Sequence, residues 1–440
     1  MDTTYLGLQE IHGSLVILEC ADFPAYDEIV EITTLSGCAR TGRVIQIEEN
    51  RAVILVFEGT SDLSLANTRT RFTGRSMEIT VSGEMLGRVM SGLGRPIDGL
   101  GPIYGPRRPI NGAAINPTLR TYPKNYIQTG ISAIDGLATL IRGQKLPIFS
   151  GDGLPHNIMA AQIAKQANIA GDKHNGNFAV VFAAMGVKYD VAEYFRRSFE
   201  ESGASGRTVM FINLASDPAA ERIITPRCAL TAAEYLAFDK GMHVLVIMTD
   251  MTAYAEALRE ISSTRGEIPS RKGYPGYLYS DLASLYERAG LLKHGTGSLT
   301  QIPILTMPND DITHPIADLT GYITEGQIVL DRSLHMRGIY PPINILPSLS
   351  RLMKDGIGHG LTRDDHPKLA NRLFATYARV GDARALASVI GADELSDEDK
   401  QLMEFGRKFE SEFVGQGADE CRGMMETLDK AAGMLNDSML

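Results

Sequence analysis

Over residues 1–75, apolar positions come in short β-like runs at 14–19, 29–34, 43–47 and 52–57, cut by Gly13, Gly37, Gly42 and Gly59. Closely spaced runs punctuated by glycine predict a small β-barrel. The stretch 82–130 is rich in Gly and Pro, but its aliphatic and tyrosine content predicts an ordered wrap rather than a flexible linker. Beyond residue 140 the pattern changes. Near-continuous apolar runs at 178–184, 208–213, His243–Thr249 and 301–307 alternate with amphipathic stretches of helical length. That alternation predicts a parallel sheet covered on both faces. Residues 351–440 read as helical: Leu402, Phe405, Phe409 and Phe413 recur at helical spacing, Ser396 is a candidate N-cap, and Gly415 and Gly417 interrupt. The predicted organisation is a barrel at 1–75, an α/β domain at 76–350 and a helical domain at 351–440.

Composition narrows the function classes. A net charge of −10 argues against a nucleic-acid partner, because phosphate backbones are bound through basic surfaces. Cys20, Cys38, Cys228 and Cys421 are widely spaced without C-x-x-C pairing, as suits a reducing cytoplasm and no zinc site. No signal peptide is expected from the first residues, and no apolar stretch approaches membrane-spanning length, so any membrane role is peripheral. Nine histidines lack metal-binding spacing. His314 and His359 are expected to pack or hydrogen-bond locally, and no metal is expected on this chain.

Residues 149–157, FSGDGLPHN, follow a strand-like run at 145–150 and lead into an apolar helical run from Ile158. This is the setting of a phosphate-binding loop, G-x-x-x-x-G-K-[ST], whose lysine reaches the β/γ-phosphates and whose hydroxyl holds Mg²⁺. Here Ser150 and Pro155 stand at the glycines, His156 at the lysine and Asn157 at the hydroxyl. Proline has no N–H for a phosphate oxygen. A neutral histidine is no fixed cation, and Asp152 adds negative charge where a triphosphate would sit. Asp250 ends the strand His243–Thr249, the position from which such folds hold Mg²⁺. An aspartate capping a turn is the simpler reading of that residue alone. After Ala184, where a hydrolase carries a carboxylate to orient water, the chain offers Gly186, Val187 and Lys188. Glu193 is expected on a solvated helix face. With lysine, hydroxyl and carboxylate all missing, hydrolysis is expected of a partner.

The string PPINILPSLS at 341–350, followed by Arg351, fits the signature of the α/β-type nucleotide-binding subunits of rotary ATPases, P-[SAP]-[LIV]-[DNH]-x₃-S-x-S. LGRVMSGLGRPIDG (86–99), IQTGISAIDGLATLIRGQKLPIFS (127–150), ITPRCALTAAEYLA (224–237), YAEALREIS (254–262) and GYPGYLYSDLASLYERAG (273–290) extend the likeness over nearly the whole chain. Together they resemble the non-catalytic B subunit of A-type and V-type rotary ATPases, of which GLPHN in place of the loop is itself typical. Gly151-Asp152 is more acidic than the small Ser/Ala pair of that pattern.

The resemblance implies a multidomain α/β fold with an N-terminal β-barrel, a central RecA-like P-loop domain and a C-terminal helical domain. It implies three copies alternating with three catalytic A subunits, contacts with central rotor stalk subunits, and a peripheral stalk at the N-terminal end. The complex would lie on the cytoplasmic face of the membrane and couple ATP synthesis or hydrolysis to proton or sodium transport. ATP or ADP with Mg²⁺ would sit at the A–B boundary, where Arg351 touches the neighbour's phosphates. The alternative for Arg351 is a surface salt bridge. Gly151, Asp152, Gly153, His156, Asn157 and Asp250 form a degenerate pocket expected to hold nucleotide weakly. Tyr274, Pro275, Gly276 and Tyr277 would face the rotor, unless the tyrosines pack against their own domain. Two rivals are a nucleotide-sensing regulator and a structural ring subunit. A self-sufficient ring ATPase needs the absent lysine and carboxylate.

Overall fold

The computed structural model describes residues 4–20, 24–112, 115, 117–169 and 177–437. Seven antiparallel strands open the chain: β1 (Thr4–Leu6), β2 (Glu10–His12), β3 (Leu15–Glu19), β4 (Glu28–Thr33), β5 (Ala39–Glu48), β6 (Arg51–Val56) and β7 (Arg69–Ser76). They pair in the order β1-β7-β4-β5-β6-β3-β2. The period of two divides their residues between two cores. Val16, Val30, Ile32, Val44, Ile54 and Val56 fill the barrel, while Leu15, Ile45 and Leu55 pack on the central domain. Gly42 allows the close pairing of β5 and β6, because a Cβ there would lie 2.5 Å from the Ile54 side chain. The four apolar runs correspond to β3–β6. Three strands escaped the pattern because β1 and β2 have three residues each and β7, RTRFTGRS, is mostly polar.

The Gly/Pro-rich segment is an ordered wrap in its described residues; 113, 114 and 116 lie outside them. Arg88 and Asp98 staple it through two bonds, Nε to Oδ2 at 2.6 Å and Nη2 to Oδ1 at 2.8 Å. That pairing holds the Asp98 carboxyl well below the usual carboxylate range. The wrap also contributes β8 (Val89–Ser91) to the edge of the central sheet.

The remaining strands of that sheet's main path are β9 (Ile148–Gly151), β10 (Phe178–Val187), β11 (Thr208–Leu214), β12 (His243–Thr249), β13 (Ser298–Met307), β14 (Gly326–Leu330) and β15 (Ile343–Ser350). Their order is β15-β14-β9-β13-β12-β10-β11-β8. All neighbours are parallel except β14 and β15. Alternate residues of β10 feed opposite layers. Phe178, Val180 and Phe182 face α1 (His156–Gln166) and α2 (Tyr189–Glu201). Ala179, Val181 and Ala183 face α3 (Thr225–Glu234), α4 (Met251–Thr264) and α5 (Leu278–Tyr286). The sheet is therefore covered on both sides, as its apolar strands require.

After β14 comes a five-residue helix, α6 (Arg332–Met336), and the chain closes with α7 (His366–Ile390), α8 (Asp397–Lys408) and α9 (Met424–Asp437). Ser396 caps α8 by accepting the Asp399 N–H at 3.1 Å. The Phe405, Phe409 and Phe413 rings stack at 5.8 and 5.3 Å. They share one core with α1, α2 and the sheet face, so the helical domain is fused to the central one. Buried Glu410 gathers Arg384 (2.7 and 2.9 Å), Arg337 (2.6 Å) and the Tyr377 hydroxyl (2.6 Å).

Candidate functional site

The loop 150–157 leaves the C-terminal end of β9 and enters α1, with Gly153 in the left-handed region at φ 77°. In parallel α/β sheets this edge is where ligands bind. Here two of the loop's amides are taken by its own carbonyls. Leu154 N–H donates to the Gly151 carbonyl at 3.2 Å, and His156 N–H to the Leu154 carbonyl at 2.8 Å. Pro155 has no amide to give. The His156 ring turns inward, its Nδ1 3.0 Å from Ser150 Oγ. Burial lowers its pKa, leaving the imidazole neutral where a working loop holds a cation. Asn157 Oδ1 is buried without a partner among the described residues.

Asp250 lies beside this loop with both carboxylate oxygens engaged. Oδ1 accepts from Thr252 N–H (2.8 Å) and Thr306 N–H (3.2 Å), and Oδ2 from Thr306 Oγ1 (2.6 Å). Burial pushes its carboxyl up, opposed by these donors. It caps α4, the simpler of the two sequence readings. Gly186 occupies a bulge in β10 at φ 66°, where a Cβ would meet Ala253 and Arg222 at 2.9 Å. Glu193 pairs with Arg196 and Arg197 on its own helix, which lowers its carboxyl to about 2. Lysine, magnesium ligand and water-orienting carboxylate are thus missing or committed elsewhere, and these residues do not form a Mg²⁺ site for hydrolysis.

Sequence reasoning missed one pair at the loop. Arg332 binds Asp310 through Nε–Oδ2 (2.6 Å) and Nη2–Oδ1 (2.8 Å), and donates to the Asp152 carbonyl at 2.9 Å. A Cβ on Gly151 would lie 1.9 Å from Asp310 Oδ1. Gly151 is therefore the floor on which the pair rests. Asp152 is exposed and joins the cluster through its backbone. The signal available in the sequence was only an Asp beside a Pro-Asn turn and an Arg after a strand, 22 residues apart.

Arg351 lies elsewhere. The serines of the 341–350 string anchor its strand: Ser348 Oγ accepts Val329 N–H at 2.9 Å, and Ser350 Oγ meets Gln144 Nε2 at 2.9 Å. Arg351 N–H donates to the Glu325 carbonyl at 2.9 Å. Its side chain is exposed and makes no ion pair among the described residues. Ser350 pairs with Gly326, and Ile328 pairs with Ile148. Arg351 thus follows a position two residues below Ile148, whereas the loop begins three residues above it at Gly151. Five residues of strand put roughly 17 Å of sheet between them.

The turn 274–277 departs from an aromatic display. Tyr274 is 3% exposed, its hydroxyl donating to Glu256 and its ring edge-on to His314 at 5.8 Å. A half-polar ring buries itself when a carboxylate one helix away accepts its O–H. Pro275 is buried as well, which leaves Gly276 and Tyr277 at the surface. His314 packs, and His359 bonds Asp364 at 3.1 Å.

A doubly covered parallel sheet with a loop-to-helix turn of phosphate-binding shape at its C-terminal edge defines a nucleotide-binding α/β protein. A β-barrel before it and a helical bundle after it narrow the class further. Residues 8–74 match "ATP synthase alpha/beta family, beta-barrel domain", 130–350 "ATP synthase alpha/beta family, nucleotide-binding domain" and 355–439 "C-terminal domain of V and A type ATP synthase". The chain belongs to the ATP synthase alpha/beta family. It is 62% identical over 434 residues to the V-type ATP synthase beta chain of Halothermothrix orenii, covering 98% of this chain and 93% of the relative. It is 59% identical over 434 residues to the A-type ATP synthase B subunit of Aeropyrum pernix, with the same coverage of each. The solved ATP synthase subunit NeqB from Nanoarcheaum equitans superposes with a TM-score of 0.77 at 43% identity, over 97% of this chain and all of that one. Among the described residues no helix is long and apolar enough to cross a membrane.

Proposed function

We propose that this chain is the non-catalytic, regulatory subunit of an A/V-type rotary ATP synthase, alternating three-plus-three with catalytic A subunits. Its barrel (1–75) meets the peripheral-stalk end, its α/β domain (76–350) forms the boundaries with A, and its helical domain (351–440) lies beside the rotor together with the Tyr277 turn. The complex sits on the cytoplasmic face of the membrane and couples ATP turnover to proton or sodium transport. The observation that carries this reading is the position of Arg351: exposed, without an ion pair among the described residues, and a sheet's length from the chain's own loop. An arginine so placed is free to serve a site outside this chain.

At the A–B boundary the neighbour would hold ATP or ADP with Mg²⁺, and Arg351 would present its fork to the phosphate oxygens. The cation neutralises charge that develops on the transferring phosphoryl group, which makes an arginine supplied in trans worth roughly 10³–10⁵ in turnover. Closing of the boundary on ATP brings Arg351 in, and opening for product release withdraws it. That alternation is what shaft rotation would drive or follow. The test is steady-state ATP hydrolysis by this chain co-assembled with its catalytic partner, with and without Arg351→Ala. A loss of about a hundredfold or more in an intact ring is expected from the worth of such arginines. Unchanged turnover would leave the chain a structural or nucleotide-sensing ring subunit.

A further inference from the structure

The loop's missing cation has a counterpart that belongs to no motif. Arg332 is held at the loop mouth by the Asp152 carbonyl, and the anion it grips is the chain's own Asp310. The pair lies directly on Gly151, with no room for even a methyl group. Asp310 reaches this position through a tight 308–310 turn in which Asn309 and Asp310 both adopt left-handed backbone, at φ 58° and 56°. Two consecutive non-glycine residues in that region are strained, and such strain persists where the surroundings enforce it. The bidentate Arg332 contact grips the carboxylate that this turn presents, and it holds the Asp310 carboxyl below its ordinary range. On the first turn of α1, Asn157 keeps a buried oxygen without a partner among the described residues.

We propose that the Asp310 carboxylate is an internal stand-in for a phosphate group, clamped on the degenerate loop by Arg332. When the clamp opens, Arg332 takes the phosphate oxygens of a nucleoside di- or triphosphate, or of a free polyphosphate. A guanidinium holds a carboxylate and a phosphate with the same two-pronged geometry, so the exchange needs no new cation. The loop thereby stays filled and rigid without nucleotide, and its affinity for phosphate is set by competition with a tethered anion. The proposal rests on reading 150–157 as a degenerate phosphate loop. It does not depend on the action of Arg351, and can fail while that stands.

Titration calorimetry of the full chain with inorganic tripolyphosphate and, separately, with MgATP tests it. Two variants release the clamp while suiting the left-handed backbone: Asp310→Asn keeps the size, and Asp310→Gly removes the side chain. Both are expected to bind tripolyphosphate at least tenfold more tightly than the unmodified chain. Adding Arg332→Gln to either should abolish the gain. A gain for both ligands assigns recognition to the phosphate chain, and a gain for MgATP alone brings the nucleoside into it. No gain in either Asp310 variant, or a gain that survives Arg332→Gln, would overturn the proposal.

Discussion

The two ends of the central sheet treat their charges in opposite ways. At the C-terminal edge three charged or polar groups are tied down: Asp250 by Thr252 and Thr306, His156 by Ser150, Arg332 by Asp310. At the other end Arg351 stands in solvent with only its backbone anchored. An exposed guanidinium with no ion pair among the described residues adds little to the fold that displays it. A buried, saturated carboxylate is explained by the fold itself. One end is tied into the structure, and the other leaves a cation in solvent.

The sharpest way to break this contrast is to measure turnover and stability together for Arg351→Ala. Turnover in the assembled ring should fall about a hundredfold, equivalent to about 2.7 kcal/mol. The chain's own unfolding free energy should move by less than about 0.5 kcal/mol, as for other exposed sites. A large stability change would show that the arginine serves its own chain after all. Glu410→Ala is the converse case, with an effect on the fold alone. Breaking a buried pair costs about 3–5 kcal/mol. Here Arg337 and Arg384 can turn toward water, so about 2–3 kcal/mol is expected in denaturant unfolding.

Asp250→Ala should cost the isolated chain about 1–2 kcal/mol through the lost helix cap. If Asp250 were instead kept for a magnesium ion, removing its buried charge would leave the free chain equally or more stable. The smallest effect is one of pH. Burial alone would raise the Glu410 carboxyl, but Arg384, Arg337 and Tyr377 together hold it below its usual value. A depressed folded pKa means its contribution is complete above the unfolded value and lost as pH falls through the folded one. Thermal melts between about pH 5 and pH 3 should therefore show a shallower acid decline in Glu410→Gln than in the unmodified chain.

What the sequence could disclose follows from how local each signal is. The strands of the parallel sheet are legible because burial on both faces leaves long apolar runs, and Ser396 is legible because its partner is three residues away. The loop substitutions at Pro155, His156 and Asn157 show at once against a fixed spacing. The inward turn of Tyr274 was not legible, because it depends on Glu256 from the preceding helix. Nor was β8, three residues inside a Gly/Pro-rich segment that pair with a strand about 120 residues further on. The Asp310–Arg332 pair depends on two left-handed residues and a contact between a turn and the start of α6, neither of which has a compositional signature.

Pro155 makes the loss of the loop difficult to reverse one residue at a time. Replacing His156 by lysine would restore a cation, yet the amide at 155 would still be missing and those of 154 and 156 still engaged. Replacing Pro155 by glycine would free the backbone with no charge to draw a phosphate in. Neither change alone would give a gain on which selection could act, and Asp310 would oppose both. A working phosphate site at this loop would therefore take several coincident substitutions rather than one.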